Sequence, residues 1–252
     1  ENIGIYAIEQ GTVTATGNYD IAYTGADFNI TKAVLNIVAD AKSKVYGTAD
    51  PALTYTVTGL TNGDTAIIIT GTLVRATGEN IGIYAIEQGT VTATGNYDIA
   101  YTGADFNITK AVLNIVADAK SKVYGTADPA LTYTITGLAN GDDQTVITGA
   151  LTRTAGENIG TYAIEQGTVT ATGNYDITYT GADFNITKAV LNIIADAKSK
   201  VYGTADPALT YTVTGLANGD TATIVTGSLV RVAGENIGIY AIEQGTVTAT
   251  GN

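Results

Sequence analysis

The feature that most constrains this chain is an internal repeat. The string Glu-Asn-Ile-Gly opens at Glu1, returns 78 positions later at Glu79, and returns again at Glu157 and Glu235. Three periods and a short overhang, which matches the start of the chain, make up the 252 residues. Repeated domains give a protein greater length, more binding surfaces or a larger covered surface, whereas catalysis needs only one copy of a domain. The repeat therefore predicts several small domains with a structural or adhesive role.

Composition indicates a folded protein built from strands. Apolar residues make up 45% of the chain and charged residues only 14%, which excludes a disordered tail. Thr, Gly, Ala, Ile, Val and Tyr are abundant, and the β-branched and aromatic members of this set favour strands. The net charge of −12 argues against nucleic-acid partners and against an anionic membrane surface, because both bind clustered Lys and Arg.

The missing residue types limit the chemistry. The chain has no Cys and no His, so disulfides, thiolate metal sites, Ser-His-Asp triads and Cys-His pairs are excluded. No apolar run approaches the length of a membrane-spanning helix, so we expect no membrane insertion of this segment. The chain begins in mid-repeat and not with Met, and we interpret it as part of a longer protein. We predict that it is not an enzyme and has no catalytic residues, cofactor or metal.

Strand signals recur in every copy. Apolar residues and Thr alternate in Leu53–Thr58, and the same period-two pattern appears in Tyr97–Tyr101. Two segments that are apolar on both faces, Ala66–Thr70 and Ile81–Ile86, predict central strands. At most one helical turn is expected, around Leu60–Asp64. The predicted fold class is all-β, with tandem small β-sandwich or β-grasp-like domains joined end to end in an elongated rod.

The phase of the repeat follows from a stretch without turn residues. Ala104–Tyr124 contains neither Gly nor Pro, so the last strand of one unit is predicted to run directly into the first strand of the next. The predicted boundaries make 1–32 the C-terminal part of a repeat, 33–110 and 111–188 complete repeats, and 189–252 a third repeat without its final strands. The absence of a flexible linker predicts a stiff junction.

A set of strings within one period resembles a known family. The strings are Lys44–Leu53 (KVYGTADPAL), Gly59-Leu60, Gly78–Tyr84 (GENIGIY), Asn96-Tyr97 and Phe106–Ala111 (FNITKA). As a set they are similar to the MBG domain of the YGX type, and the resemblance covers essentially the whole chain. It implies an extracellular repeat module of very large bacterial surface and secreted proteins, often adhesin-like. It supplies no catalytic residues.

Several local patterns admit a functional and a plain structural interpretation. Asn140–Asp143 contains oxygen ligands that suit Ca²⁺, but a turn is the simpler interpretation. The alternating Thr residues of Thr90–Thr94 indicate an exposed strand face. Lys110 is a candidate for an Asn isopeptide crosslink or an ordinary junction residue. Glycosylation sequences occur at Asn29, Asn107 and Asn185 and around Asp64 and Asp220. Tyr55, Tyr97 and Tyr101 alternate with polar residues, which favours burial in the core over sugar binding.

The sequence as a whole predicts a stalk or filament segment of a large bacterial cell-surface adhesin, which projects a distal binding region. The expected location is extracellular, at the bacterial cell surface. The expected partners are neighbouring repeats, with homotypic association into filaments and surface glycans as further candidates. A carbohydrate-binding repeat array is the alternative, and a hydrolase module would require two facing carboxylates in a pocket.

Overall fold

A computed structural model describes residues 1–251 of the chain. Every regular element is a strand apart from three short 3₁₀ helices, so the predicted all-β class is confirmed. No helix among these residues has both the length and the apolar character needed to cross a membrane. The copies are called copy 1 (33–110), copy 2 (111–188) and copy 3 (189–252), after the predicted boundaries.

The N-terminal segment and copy 1 contain the first eleven strands. Their bounds are β1 Gly4–Ile8, β2 Ala26–Ile30, β3 Ala33–Ala39, β4 Lys42–Val45, β5 Tyr55–Thr58, β6 Ile69–Thr70, β7 Val74–Arg75, β8 Gly82–Glu87, β9 Thr92–Ala93, β10 Tyr97–Thr102 and β11 Ala104–Thr109, with a 3₁₀ helix at Ala66–Ile68.

Copy 2 repeats this order. Its strands are β12 Ala111–Ala117, β13 Lys120–Val123, β14 Tyr133–Thr136, β15 Ile147–Thr148, β16 Thr152–Arg153, β17 Gly160–Glu165, β18 Thr170–Ala171, β19 Tyr175–Thr180 and β20 Ala182–Thr187, with a 3₁₀ helix at Gln144–Val146. Copy 3 holds β21 Asn192–Ala195, β22 Tyr211–Thr214, β23 Val225–Thr226, β24 Val230–Arg231, β25 Ile242–Glu243 and β26 Thr248–Ala249, with a 3₁₀ helix at Ala222–Ile224.

Copy 1 forms two main sheets, with strand orders β10-β3-β5 and β4-β11-β8-β7, and a small pair β6-β9. The first strand segments of the copy lie parallel to its last ones, since β3 pairs with β10 and β4 pairs with β11. All other pairings in these sheets are antiparallel. Copy 2 has the corresponding sheets β14-β12-β19 and β13-β20-β17-β16.

The core follows the period-two pattern of the strands. Leu35 and Ile37 on β3 and Phe106 and Ile108 on β11 are buried, whereas the residues between them are exposed. The three-stranded and the four-stranded sheet of the copy thus each bury one face. Among the described residues of copy 3, the strands form the pairs β21-β22, β23-β26 and β24-β25.

The chain divides into two compact units that do not follow the copy boundaries. Unit 1 comprises Glu1–Val112 together with Leu138–Asp142 and Thr172–Asp176, and unit 2 comprises the remaining described residues. Two short segments of copy 2 therefore pack with copy 1 in the same unit. The copy boundaries themselves stay predictions.

The prediction of a central strand over Ala66–Thr70 was wrong. Ala66–Thr70 is a 3₁₀ helix at Ala66–Ile68 followed by a strand of only two residues. Ile67 is exposed and only Ile69 is buried, so the run of apolar residues does not reflect burial on both faces. The helical turn predicted around Leu60–Asp64 was also misplaced, because the 3₁₀ helix begins after Asp64. Within the predicted range, Asn62 and Gly63 form a turn with positive φ. The other predicted central strand, β8, does lie between two neighbours, β11 and β7.

Candidate functional site

The most concentrated polar chemistry in each copy is a cluster of four charged residues, here called the ion quartet. In copy 1 it consists of Lys44, Asp50, Arg75 and Glu79. The Lys44 ammonium lies 2.7 Å from Asp50 and 2.5 Å from Glu79, and the Arg75 guanidinium lies 2.5 Å from each carboxylate. Each cation thus contacts both anions, and the formal charge of the group is zero.

Local structure explains how the quartet assembles. Lys44 occupies an inward position of β4, and its side chain is only 4% exposed. Asp50 lies in the loop between β4 and β5, directly before Pro51, while Arg75 ends β7 and Glu79 follows four residues later. The quartet therefore joins β4 and the loop after it to β7 and the loop after that strand, two parts of the copy that are distant in sequence.

Arg75 is also held by aromatic rings and by backbone carbonyls. Its guanidinium carbon lies 5.5 Å from the centre of the Tyr84 ring and 5.0 Å from that of Phe106, which is cation–π distance. The same group donates hydrogen bonds to the carbonyl oxygens of Ala76 and Gly78, at 3.0 and 2.7 Å. The Arg75 side chain thus contacts two carboxylates, two aromatic rings and two backbone carbonyls.

Hydrogen bonding within the quartet lowers the pKa values of its acids and raises that of its lysine, so that the charged forms are favoured. Hydrogen bonds from Arg75 and, with a smaller effect, from Lys44 lower the pKa of Asp50. Hydrogen bonds from Lys44 and, with a smaller effect, from Arg75 lower the pKa of Glu79. The hydrogen bond to Asp50 raises the pKa of Lys44. All four groups are therefore held in their charged forms.

The quartet recurs in the other copies. Copy 2 has Lys122, Asp128, Arg153 and Glu157, and copy 3 has Lys200, Asp206, Arg231 and Glu235. The side chain of the lysine is 4% exposed in copy 2 and 22% in copy 3. The contacts persist, but the third quartet is more open to water.

A second recurrent arrangement connects consecutive copies, and we call it the junction. Within unit 1 the buried Tyr46 of copy 1 meets two segments of copy 2. Its hydroxyl donates to a carboxylate oxygen of Asp142 at 3.0 Å and accepts from the side-chain amide of Asn140 at 3.3 Å. Its ring stands edge-on to that of Tyr175, with centroids 5.5 Å apart.

The glycine after Tyr46 allows this approach. Gly47 has a φ of +78°, and a Cβ at this position would lie 2.4 Å from the Cβ of Ala139. Only glycine fits here without a shift of the backbone. The Tyr-Gly pair of the family resemblance therefore acts at the junction.

Asparagine amides form a further part of the junction. The side chain of Asn174 accepts a hydrogen bond from the backbone N–H of Ile81 at 3.1 Å and donates to the side-chain oxygen of Asn80 at 3.0 Å. Lys110, the last residue of copy 1, forms an ion pair with Asp176 at 2.8 Å.

The same contacts recur between the N-terminal segment and copy 1. There Asn96 contacts Asn2 and Ile3, and Lys32 pairs with Asp98. Within unit 2, Tyr124 accepts a hydrogen bond from Asn218, and Gly125 faces Ala217 as Gly47 faces Ala139.

The structure places each locally predicted candidate. Asp142 accepts hydrogen bonds from the hydroxyls of Tyr46 and Tyr175, and Asp143 caps a 3₁₀ helix through Thr145. The Asn140–Asp143 segment is thus a turn whose carboxylates have protein partners. The Lys110 ammonium pairs with Asp176 and is partly exposed.

The other candidates lie on strands and turns. Thr92 pairs with Thr70 across β6 and β9 through their hydroxyls, with Val91 buried beside them. Asn29, Asn107 and Asn185 lie on exposed strand positions. The Asp64 carboxylate accepts from the hydroxyl of Tyr97, which is buried as predicted. Tyr55 and Tyr101 are partly buried.

Comparison with known families agrees with these features. The MBG domain (YGX type) matches residues 35–107, 113–185 and 191–252. The chain belongs to the MBG family. It is an array of three MBG repeats, as the Tyr-Gly strings predicted. No curated protein and no solved structure matches the chain significantly.

The ion quartet of these MBG repeats was not predicted from the sequence. In the sequence, Lys44, Asp50 and Glu79 stand out only as members of the strings that resemble the MBG domain. A usable signal existed, because Lys44 falls at an inward position of an alternating strand and Arg75 and Glu79 are four residues apart. A buried lysine requires a partner, and this requirement could have led to the two acids.

Proposed function

We propose that this MBG array is a load-bearing stalk segment of a large bacterial surface adhesin, in which copy number sets the distance to a distal binding region. The observation that carries the proposal is the parallel pairing of the first and last strand segments of a copy. In copy 1, β3 pairs with β10 over six residues, and β4 pairs with β11 over four.

This pairing determines how a copy responds to tension. The chain enters copy 1 at the start of β3 and leaves it at the end of β11. In a parallel pair these two points lie at opposite ends of the strands, so a pull on them shears the two strands along their length. The ladder hydrogen bonds then share the load, whereas in a hairpin pulled at its open end they break one after another.

The junction and the quartet support the same function. The junction joins successive copies through a buried tyrosine, an asparagine pair and an ion pair, with no flexible linker between β11 and β12. The quartet joins β4, which is one of the sheared strands, to β7 and to the loop at Glu79. Both contribute contacts that extension has to break.

The alternatives have less support. A glycoside hydrolase needs a carboxylic acid with a raised pKa, and the pKa values of Asp50 and Glu79 are both lowered. A sugar-binding face needs exposed aromatic rings. Within the described residues, the strongly exposed Tyr and Phe side chains are confined to the N-terminal segment and copy 3. These observations favour the structural role over a catalytic or sugar-binding one.

Single-molecule force spectroscopy on the whole chain, tethered at its two ends, tests the proposal. Each of the two complete copies should unfold in one high-force step that releases at most about 260–280 Å of chain, which is the reach of one fully extended period. Gradual extension at low force would contradict a load-bearing role. Antibodies against the array that label only lysed, not intact, cells of the producing bacterium would contradict the surface location.

A further inference from the structure

Copy 1 contains a sheet edge that lacks the usual protection against strand pairing. Edge strands are normally protected by charged side chains, by shortness or by proline. At the other edges of the two main sheets, β4 carries two inward-pointing lysines, β7 has only two residues, and β10 carries Asp98, which pairs with Lys32. The edge strand β5 and the residue before it read Thr-Tyr-Thr-Val-Thr over residues 54–58, without a charge, a proline or a glycine. This edge is therefore open to a further strand.

The backbone of β5 directs half of its hydrogen-bonding groups to this open edge. Beside β3, the N–H of Asp40 donates to the carbonyl oxygen of Thr54 at 2.9 Å, and the antiparallel register continues along β5 without a break. In an antiparallel pair, residues bonded to the neighbour alternate with residues whose backbone groups point away from it. The N–H and C=O groups of Tyr55 and Val57 therefore point to the free edge, since β5 is the last strand of its sheet.

The segment is self-complementary in one antiparallel register. The register that uses all of the free groups pairs Tyr55 with Val57 of a second copy, and Val57 with Tyr55 of that copy. Thr56 then lies on the two-fold axis, opposite Thr56 of the second copy, and Thr54 lies opposite Thr58. Thr–Thr pairs and pairs of an aromatic with a β-branched residue both stabilise neighbouring strands. Every position of the segment thus meets a favourable partner.

The charges beside the edge are compatible with this pairing, although the chain has a net charge of −12. The flanking charge is Asp40, which lies beside Thr54 in the ladder. Across the new contact, this row continues through Thr58 of the second copy to Asn36 of that copy, because Asn36 and Thr58 are paired. The row of the carboxylate therefore ends on an amide, and the register places no like charges opposite each other.

The same edge recurs in the other copies. In copy 2, β14 and the residue before it read Thr-Tyr-Thr-Ile-Thr, and in copy 3, β22 and the residue before it read Thr-Tyr-Thr-Val-Thr. Both strands are the last of their sheets. The N–H of Asp118 donates to Thr132 and that of Asp196 to Thr210, each at 2.9 Å, so the same alternate residues face the free edge. The described residues thus present this edge once per copy.

We propose that β5, β14 and β22 are association edges, at which a second copy of this chain pairs antiparallel, strand against strand. The partner is another array because the contact is isologous, formed by the same surface on both molecules. Pairing of β5 with β5 of a second copy joins two three-stranded sheets into one. Because a chain carries more than one such edge, association can extend beyond a dimer. This association goes beyond the proposed load-bearing function and does not depend on it.

Sedimentation equilibrium on the full chain over a wide concentration range tests for association. The weight-average mass should rise with concentration above the monomer value of 25.8 kDa. A mass that stays at the monomer value at every concentration would overturn the proposal, and it would leave the edge to an extended segment of a different protein.

Charge variants on the two-fold axis identify the contact. The axial residue is exposed in every copy, namely Thr56, Thr134 and Thr212. The combined variant Thr56→Lys, Thr134→Lys and Thr212→Lys should keep the fold, but it places lysine opposite lysine and should weaken association about tenfold or more. A matched control changes an exposed strand position outside the edge to lysine in each copy, namely Thr92, Thr170 and Thr248. The control should associate like the wild type.

A mixing experiment tests the register. The combined variant Thr56→Glu, Thr134→Glu and Thr212→Glu should also lose self-association, because glutamate then faces glutamate. The lysine and glutamate variants mixed in equal amounts should associate again, since opposite charges meet on the axis. Undiminished association of the lysine variant, an equal loss in the control, or a mixture that stays monomeric would exclude this docking mode.

Discussion

Copies 1 and 3 have nearly the same sequence but differ strongly in burial. Tyr46 of copy 1 is 3% exposed and Tyr124 of copy 2 is 5% exposed, whereas Tyr202, the same position in copy 3, is 71% exposed. Leu35 and Leu113 are fully buried, while Leu191 is only half-buried. The difference has two sources, the junction with the following copy and the last two strands of the copy itself.

The comparison teaches that an MBG repeat completes its fold with help from its neighbour. Tyr46 obtains its hydrogen-bond partners Asn140 and Asp142 from copy 2, and Tyr124 obtains Asn218 from copy 3. Burial of the tyrosine is therefore a property of the array, as expected where stability is shared between repeats and their interfaces.

The largest effect should come from the phenylalanine of the last strand. Phe106→Ala removes a fully buried ring and should lower the free energy of unfolding by about 3–5 kcal/mol. Phe28→Ala changes the same residue in the same local sequence, but the ring is exposed, and the effect should be within about 0.5 kcal/mol. Urea denaturation at low protein concentration, followed by tyrosine fluorescence, measures both. Equal losses of unfolding free energy in the two variants would contradict the burial of Phe106 and the exposure of Phe28.

Glycine variants should isolate the junction. Gly47 and Gly203 have φ values of +78° and +82°, so alanine at either position carries a similar backbone strain of about 1–2 kcal/mol. At Gly47 the new Cβ also collides with Ala139, whereas nothing lies within 4 Å at Gly203. Gly47→Ala should therefore lose roughly 1–3 kcal/mol more than Gly203→Ala in thermal or urea unfolding.

Gly125→Ala serves as the matched control for the junction, because its Cβ would lie 2.2 Å from that of Ala217. It should behave like Gly47→Ala. If all three variants lost the same stability, the junction would contribute nothing beyond the backbone conformation of each glycine.

A smaller effect is expected from the quartet at acid pH. Hydrogen bonds from Arg153 and Lys122 lower the pKa of Asp128 from 3.8 to about 2. Its stabilising effect is therefore complete above about pH 4–5 and is lost as the pH falls towards 2. Because the carboxylate is 39% exposed, water screens the interaction, and Asp128→Asn should cost only about 1 kcal/mol at neutral pH.

The decisive measurement is how the stability of this variant depends on pH. The difference between wild type and Asp128→Asn, measured by urea denaturation, should shrink as the pH is lowered from about 5 to about 2. Asp206→Asn in copy 3 should show a smaller difference at neutral pH, because Lys200 is more exposed than Lys122. Asp27→Asn, which removes a charge from exposed β2, controls for net charge.

The sequence predicted much of the fold, because strands leave a local signal. Tyr97–Thr102 lies where alternation placed a strand. Ala104–Thr109 and Ala111–Ala117 lie in the stretch without Gly or Pro, where one strand was predicted to run into the next, and one residue, Lys110, separates them. Ala66–Thr70 misled the prediction, since a run of apolar residues looks the same in a buried strand and in a 3₁₀ turn that exposes Ile67.

The candidate site was harder to predict because its contacts are distant in sequence. Lys44 and Glu79 are 35 residues apart, and Tyr46 and Asn140 are 94 apart. No local pattern specifies such pairs; only the parallel pairing and the contact with the next copy bring them together. The MBG resemblance identified the motif Tyr46-Gly47 but not its physical purpose, which is close approach at the junction.

The constant spacing of the junction contacts has a genetic consequence. Asn2 meets Asn96 and Asn80 meets Asn174, each across 94 positions, so these two junctions use the same offset along the chain. Unequal recombination between the nearly identical copies adds or removes whole periods and leaves this offset unchanged. The gene can thus lengthen or shorten its product in fixed steps, and each new boundary inherits a complete set of contacts without any compensating mutation.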